Sequence, residues 1–286
     1  MILLTGVTGQ TGGAAAKELI NKGVPFRALV RDESKAAELK ASGVELMVGD
    51  LGDQGSVREA LQGIEKATLI LPNSEDQQAM EMQFVDLAAE AGVKQVVKMS
   101  SFEAREDATS PIPVAHYAVE QHMKNSGLGW TMIRPNFFMQ NFLGSGASIK
   151  AAGQFSLPMG NGVTVMIDCR DIGAAIATVL TGEGHERQSY DISGPEKLSF
   201  YEVADQFSEV LGRKIEYVDE DPQAFRERVA PFMRSEWHLN AVCHLFSEIV
   251  AGVVPPEVTT TFQELVGREP ISLKQFVQDF IFVFQD

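Results

Sequence analysis

A glycine-rich turn near the start of the chain constrains its fold more than any other feature. The apolar run Ile2–Leu4 is followed by Gly6, Gly9 and Gly12, and then by the helix-forming stretch 14–20. Glycine lets a backbone reverse tightly and approach a ligand, while the first turn of a helix presents unpaired N–H groups and a positive dipole end. A strand, such a turn and a helix together bind a dinucleotide pyrophosphate. We therefore expect a cofactor here, although a tight turn without a ligand is the alternative. The residues assigned to it are Gly6, Thr8, Gly9, Gln10, Thr11 and Gly12.

The first half of the chain alternates short apolar runs with helical segments. The runs lie at 2–4, 26–30, 44–48, 67–71, 95–99 and 130–133, and the helical segments between them end near Gly23, Gly43, Gly63, Gly92 and Gly127. Continuous apolar strands separated by helices are typical of a parallel sheet covered on both faces. The pattern predicts an α/β fold with a doubly wound parallel sheet of the Rossmann type, whose ligand crevice lies at the carboxyl ends of the strands.

The pattern changes after Pro135. A strand-like run at 163–167, a helix over 170–180 and a second strand-like run at 189–192 are expected to extend the sheet. Ser199 and Glu202 form a candidate capping box for a helix that stops at Gly212, and the chain from 221 onward is mostly helical. We therefore predict a dinucleotide-binding domain over 1–135 with 163–193 added to its sheet. A smaller, mainly helical substrate lobe would be formed by 136–162 and 194–286.

Charge and composition argue against several kinds of partner. The formal net charge of -15 disfavours nucleic acid and anionic membranes, which need a basic surface. No apolar run approaches the roughly 20 residues that span a bilayer, and no signal-peptide pattern precedes the first strand. Cys169 and Cys243 lack a partner motif, so neither a disulfide framework nor a metal site is expected. We expect a cytoplasmic protein that is a monomer or a homodimer.

The end of the second strand decides which dinucleotide is bound. An acidic residue there favours NAD through the ribose hydroxyl, whereas basic residues favour the 2′-phosphate of NADP. Arg31 follows the strand and Lys35 lies one helical turn later, so the two could clasp a phosphate. The alternative is that both are ordinary surface cations, and Asp32 keeps NAD(H) as the less favoured option. We predict NADP(H).

Residues at the ends of the third and fourth strands would line the rest of the crevice. Asp50 is placed to accept a hydrogen bond from an adenine amino group, with Leu51 against the ring. Leu71, Pro72 and Asn73 would line the ribose or the nicotinamide. Each of these is also typical of an ordinary strand-terminating turn.

Stretches spread over most of the chain resemble one family of proteins. They lie at 5–13, 30–31, 49–50, 92–94, 130–141, 168–173 and 266–270. With them the chain resembles the NmrA-like group of atypical short-chain dehydrogenases/reductases. Within that group it looks most similar to the bacterial branch of NAD(P)H-dependent quinone reductases and triphenylmethane dye reductases. The resemblance implies NADPH in the first-half crevice and a substrate admitted between it and the C-terminal lobe. Further cofactor contacts are expected from Ser100, Pro135, Asn136 and Phe137.

One departure from the wider superfamily concerns the proton donor. Typical short-chain dehydrogenases pair a tyrosine with a lysine four residues later, but here Tyr117 is followed at that spacing by Gln121. Without an ammonium group beside it, a tuned tyrosine acid is doubtful. His116 occupies the position where many NmrA-like members carry a lysine, and a histidine could donate a proton near neutral pH. We take His116 and Tyr117 as the catalytic candidates, with a structural histidine and a packing or substrate-lining tyrosine as the alternatives.

A site without a strong proton donor favours acceptors whose reduction needs little protonation. Quinones, iminium ions and cationic dyes take up a hydride to give a stabilised product. The aromatic residues Phe137, Phe138, Phe155 and Trp237 suit a flat conjugated substrate, although core packing is the alternative for each. Substrate contacts are assigned to Phe138, Asn141 and Trp237. The sequence thus predicts an NADPH-dependent reductase of flat, electron-poor molecules.

Two other functions are compatible with the same fold. A catalytically inactive NADP(H)-binding redox sensor that acts through a protein partner is the main alternative. A sugar-nucleotide epimerase would need a strong tyrosine base, and Gln121 argues against one.

Overall fold

The structure, a computed structural model, describes residues 1–285. The strands are β1 (Ile2–Leu4), β2 (Phe26–Val30), β3 (Glu45–Val48), β4 (Lys66–Leu69), β5 (Gln95–Met99), β6 (Gly129–Pro135), β7 (Gln154–Leu157), β8 (Val163–Thr164), β9 (Gln188–Ile192), β10 (Leu198–Ser199) and β11 (Glu216–Asp219). The helices are α1 (Gln10–Asn21), α2 (Ala37–Ala41), α3 (Gln54–Ala60), α4 (Gln77–Glu90), α5 (Pro111–Asn125), α6 (Gly146–Ala152), α7 (Cys169–Thr181), α8 (Phe200–Leu211), α9 (Pro222–Val229), α10 (Glu236–Ala251), α11 (Thr261–Val266), α12 (Leu273–Asp279) and α13 (Ile281–Phe284). Short 3-10 helices lie at Glu33–Ala36, Met139–Ser145 and Ala230–Phe232.

Seven parallel strands form the main sheet in the order β3-β2-β1-β4-β5-β6-β9. The order reverses between β1 and β4, because β2 and β3 lie on one side of β1 and the later strands of this sheet lie on the other. A ligand crevice in such a sheet opens at this switch point, outside the carboxyl ends of the strands. The predicted doubly wound α/β fold is confirmed.

Apolar side chains cover both faces of the sheet. One core joins β1 and β2 to α1 and α7, and the opposite core joins β4 and β5 to α3, α4 and α5. The strands are apolar toward both faces because both are covered, which is why they read as continuous apolar runs.

A third core belongs to the second lobe. It gathers Phe142, Phe155, Phe200 and Phe207 with residues of α12 and α13. The predicted capping box is confirmed, since Ser199 and Glu202 exchange hydrogen bonds at the start of α8 and Gly212 ends that helix.

The segment 163–193 joins the main sheet only in part. Its strand β9 pairs with β6, as expected, but β8 forms a separate antiparallel pair with β10. The expected strand over 163–167 is therefore wrong beyond Thr164, and of its remainder only Ile167 makes a bridge, to Phe138. The lobe also contains a parallel pair of β7 and β11, which the mainly helical prediction did not include.

Candidate functional site

The glycine turn lies at the switch point and ends in the first turn of α1. Gly6 has φ +69, and a Cβ there would lie 2.9 Å from the carbonyl oxygen of Ile70. A Cβ on Gly12 would lie 2.3 Å from the carbonyl oxygen of Gly6, so only glycine allows the turn to fold against the helix. The first intrahelical bond comes from the N–H of Gly13 to Gly9, and the preceding N–H groups of the helix are left for a ligand.

Hydrogen bonds across the switch point hold the turn in place. The backbone N–H of Thr5 donates to Thr68 Oγ1 at 2.9 Å, and the N–H of Ile70 donates to Thr5 Oγ1 at 2.9 Å. These buried bonds continue the link between the first and fourth strands where the ladder ends. The side chain of Thr11, by contrast, is buried, so mainly its backbone remains for a phosphate.

The end of β2 presents the two predicted cations to solvent. The side chains of Arg31 and Lys35 are exposed, and neither makes an ion pair or hydrogen bond with another side chain in residues 1–285. Asp32 instead accepts hydrogen bonds from the Ser34 hydroxyl at 2.6 Å and the Ser34 N–H at 3.0 Å, which lower its pKa. This carboxylate is therefore engaged in its own turn, while the two cations stay available.

Other predicted crevice residues lie at the carboxyl edge with unequal exposure. Asp50 is half-buried and accepts a hydrogen bond from the Gly52 N–H at 2.8 Å. Leu71 is buried in the core beneath the crevice, which leaves little of its side chain for a cofactor. The remaining predicted residues keep part of their surface at this edge. Thr8, Gln10 and Pro72 are exposed, and Leu51 and Asn73 are half-buried.

A buried ion pair lies beneath the crevice, between β5, α4 and α5. The side chains of Lys98 and Glu81 are 0% and 1% exposed and form a short salt bridge. The Lys98 ammonium also donates to the Met99 carbonyl at 3.3 Å and contacts His116 Nδ1 at 3.1 Å. Since an ammonium can only donate, Nδ1 accepts and the ring proton belongs on Nε2.

His116 is consequently held neutral. It is 4% exposed, and burial together with the Lys98 charge puts its pKa well below the usual value. A neutral imidazole locked against an ammonium does not provide the doubly protonated donor that the sequence suggested. Tyr117 is half-buried, with Gln121 at the spacing where a lysine would be needed. The structure therefore supplies neither candidate with the ionic partner that would make it a strong acid.

A second buried network fixes Ser100. Its hydroxyl donates to Glu120 Oε1 at 2.6 Å, and Arg134 clamps the same carboxylate from β6. Arg134 also lies 3.6 Å from Asp191 on the edge strand. The Ser100 hydroxyl is thus committed to the protein, which argues against its predicted side-chain contact with the cofactor.

Helix α10 covers the carboxyl edge. Phe246 on its inner face packs against Phe137, with ring centroids 6.3 Å apart. Glu248 accepts hydrogen bonds from the Thr109 hydroxyl and from the Ser110 N–H at 3.1 Å, which attach the helix to the loop after β5. The sequence did not identify Phe246 because apolar residues lie on more than one side of this helix, so the pattern does not show which side faces the crevice.

The other residues predicted to contact the substrate lie far apart in the structure. Phe155 is fully buried against Phe142 in the core of the lobe, so its substrate role is wrong and the packing alternative holds. Phe138 packs on the core shared by α1 and α7. Trp237 is half-buried at the other end of α10, about 14 Å along the helix from Phe246. Asn141 is exposed.

A small cavity lies where α10 meets the ends of β5 and β6. Glu103, Asn136, Thr164 and Glu248 provide its polar lining, and it measures about 10 Å³, close to the volume needed for one water molecule. Asn136 donates to Glu103 Oε1 at 3.3 Å. The sequence predicted only Asn136 of this group, because Glu103 and Glu248 carry no motif.

Two other features are not present in the described residues. None of their helices is long and apolar enough to cross a membrane. Among residues 1–285 no group of three or more histidines, cysteines and carboxylates is arranged to hold a metal. The glycine cradle, the free N–H groups of α1 and the unpaired cations at β2 together fit a phosphorylated dinucleotide.

Comparisons with known proteins agree with this geometry. The model of the NmrA-like family matches residues 1–277. The NAD(P)H azoreductase of Xenophilus azovorans is 34% identical over 284 residues, covering 97% of each chain. The NADPH-dependent quinone oxidoreductase of Escherichia coli, solved with NADPH, has a TM-score of 0.88 at 25% identity and covers 98% of this chain and 100% of its own. The Citrobacter sp. triphenylmethane reductase complexed with NADP(H) has a TM-score of 0.85 at 26% identity, covering 97% and 99%.

Proposed function

Because this chain belongs to the NmrA-like family, we propose that it is an NAD(P)H-dependent oxidoreductase that reduces small aromatic molecules. The observation that carries the proposal is the glycine cradle at the switch point. There the Gly12 position leaves no room for a Cβ beside the Gly6 carbonyl, and the N–H groups of α1 remain unpaired. Such a cradle binds a pyrophosphate and directs the nicotinamide toward the ends of the later strands.

NADPH is the preferred cofactor in this proposal. Arg31 and Lys35 lie exposed where a 2′-phosphate would be bound, and Asp32 is turned into its own hydrogen-bonded turn. A guanidinium can bind phosphate with two parallel hydrogen bonds, and an ammonium adds a second positive charge. The arrangement favours the phosphate over the free hydroxyl of NADH.

The acceptor is a flat, electron-poor molecule such as a quinone, an iminium ion or a cationic dye. Bound reduced nicotinamide supplies a hydride, and the protein has to orient the acceptor and keep water away. Phe137 and Phe246 form the aromatic surface for this purpose between the carboxyl edge and α10. The hydrogen bond from the Ser110 N–H to Glu248 holds α10 as a cover over this surface.

Steady-state kinetics test the proposal. The wild-type protein should oxidise NADPH in the presence of a quinone or a cationic triphenylmethane dye, with a lower KM for NADPH than for NADH. Arg31→Ala should raise the KM for NADPH about tenfold or more and leave that for NADH nearly unchanged. Lys17→Ala, which removes an exposed lysine of α1, serves as the charge-matched control.

The redox-sensor alternative gives a different result in the same assay. A sensor would bind NADPH in a calorimetric titration without consuming it in the presence of any acceptor. A strong preference for NADH would instead contradict the role given to Arg31. The cytoplasmic location, the absence of a nucleic-acid partner and the choice between monomer and homodimer remain predictions.

A further inference from the structure

The small cavity under α10 is lined by carboxylates from two different segments. Glu103 follows β5 and Glu248 lies on α10, and both border the cavity of about 10 Å³ together with Thr164 of β8. We propose that this cavity binds one alkali-metal cation of about the size of Na⁺, which links α10 to the carboxyl edge of the sheet. The inference goes beyond the proposed function and does not depend on it.

The contacts of Glu103 favour its ionised form. Its Oε2 accepts a hydrogen bond from the Ser101 hydroxyl, and its Oε1 accepts one from the Asn136 amide at 3.3 Å. Hydrogen bonds donated to both oxygens stabilise a carboxylate, and each oxygen can accept more than one partner. Burial raises the pKa of Glu103 and the charge of Glu248 adds to this, while the Ser101 bond lowers it. A cation beside the two groups would remove their repulsion.

Glu248 keeps one oxygen for a further partner. Its Oε1 accepts hydrogen bonds from the Thr109 hydroxyl and from the Ser110 N–H at 3.1 Å, and His244 Nε2 lies 3.7 Å from the same atom. These contacts stabilise the anion and fix its position on α10. Because all of them are made by Oε1, the second oxygen is left for a ligand.

The positive groups nearby are engaged elsewhere. Neither Glu103 nor Glu248 forms a salt bridge with an arginine or lysine among residues 1–285. Arg105, on the loop after β5, pairs with Asp107 at 2.8 Å and donates to the Val253 carbonyl at 3.0 Å. Two carboxylates therefore share a cavity whose other walls are largely apolar. Charge in such surroundings is costly unless a cation compensates it.

The Thr164 hydroxyl is an independent sign of a ligand. The residue is 2% exposed, borders the same cavity, and has no hydrogen-bond partner for its hydroxyl oxygen among the described residues. A buried polar atom without a partner is costly, so such an atom usually contacts an ordered water or an ion. Thr164 thus adds a third oxygen to the two carboxylates.

Donor type and size select the ligand. Carboxylate and hydroxyl oxygens are hard donors, which suit alkali and alkaline-earth cations. The cavity has room for about one water molecule. Mg²⁺ usually keeps several waters and Ca²⁺ takes about six to eight oxygen ligands, so both need more space or more donors. The described residues also contain no cluster of three or more acidic, histidine or cysteine ligands. A single alkali cation smaller than a water molecule fits this site.

Thermal unfolding of the cofactor-free protein tests the site. At mildly alkaline pH the wild type should unfold at least about 2 °C higher in NaCl than in tetramethylammonium chloride of equal ionic strength, because an ion bound to the folded state stabilises it. Thr164→Val keeps the shape of the side chain and should lose most of this rise, as should Glu103→Gln. Glu106→Gln, at an exposed position of the same loop, removes the same charge and should keep the rise.

Three outcomes would overturn the inference. Equal unfolding temperatures of the wild type in the two salts would show that the cavity holds only water. A rise that survives both Thr164→Val and Glu103→Gln would place the ion elsewhere. A rise with CaCl₂ but none with NaCl would contradict an alkali cation.

Sodium NMR gives a second measurement that reports binding itself. The wild type should broaden the sodium resonance more than the same concentration of Thr164→Val does. Equal broadening would show that only the general negative charge of the protein attracts the ion, and it would refute the site. Neither experiment uses NADPH or an acceptor. Their failure would therefore leave the proposed function intact, and a wild type without reductase activity would leave this inference intact.

Discussion

Replacing Lys98 by methionine should destabilise the protein by about 3–5 kcal/mol, the cost of leaving one partner of a buried ion pair uncompensated. The ammonium makes three contacts, to Glu81, to the Met99 carbonyl and to His116 Nδ1. Methionine fills much the same volume but donates nothing. Glu81 would keep only the hydrogen bond from the Gln77 amide at 3.2 Å.

A matched exposed pair provides the control. Lys94 forms a 2.7 Å salt bridge with Glu65 close to the same strand, but the two side chains are 72% and 57% exposed. Solvent screens such a pair, so Lys94→Met should cost at most about 1 kcal/mol. The difference between the two lysine variants therefore isolates the effect of burial.

The double variant Lys98→Met/Glu81→Leu should recover part of the loss. It removes both charges together, but the Met99 carbonyl and His116 Nδ1 lose the lysine contact and the Gln77 amide loses its acceptor, at a cost of about 1–3 kcal/mol. Urea unfolding at neutral pH, followed by tryptophan fluorescence and circular dichroism, measures each value, provided the slope m stays constant. A Lys98→Met cost no larger than that of Lys94→Met, or costs that simply add in the double variant, would refute the reasoning.

Three further results are expected. Gly12→Ala should raise the Kd for NADPH at least tenfold in a calorimetric titration, because the new Cβ would meet the Gly6 carbonyl at 2.3 Å; an unchanged Kd would show that the turn does not hold the pyrophosphate. His116 stays neutral while its unfolded counterpart gains a proton below a pKa of about 6.5, so stability should fall with decreasing pH by up to about 1.4 kcal/mol per pH unit. His116→Gln should reduce that slope in unfolding experiments between about pH 6.5 and pH 5, and an unchanged slope would contradict a neutral buried ring. Phe246→Ala should raise KM for aromatic acceptors severalfold without changing that for NADPH, since its ring packs on Phe137; equal changes in both would point to misfolding of the lobe.

The sequence indicated the fold and the family well, because these depend on local patterns. Strands covered on both faces appear in the sequence as continuous apolar runs. The capping residues of α8 lie within four positions of each other, and the turn around Gly6 is marked by closely spaced glycines between a strand and a helix. The doubly wound sheet and the resemblance to quinone and dye reductases of the NmrA-like family are confirmed.

The part of the site where the substrate would react depends on contacts between segments that are distant in the chain. Patterns within a single sequence do not reveal such contacts. Lys98 looks like an ordinary strand residue, yet in the fold it contacts Glu81 on α4 and His116 on α5. Likewise α10 brings Phe246 and Glu248 over the crevice from more than a hundred residues away. The expected substrate role of Phe155 is wrong for the same reason, since a phenylalanine of a core and one of a pocket have the same local sequence signal.

Hydride transfer itself is most directly tested by following the transferred atom. The protein is mixed with a cationic triphenylmethane dye and NADPH carrying deuterium on the transferable position of the nicotinamide, and the colourless product is examined by mass spectrometry and NMR. A reductase that binds NADPH at the glycine turn should place the deuterium on the central carbon of the product, and Gly12→Ala should lose this transfer. Binding of NADPH without coloured dye being consumed, or a product without deuterium, would contradict direct reduction by the bound cofactor.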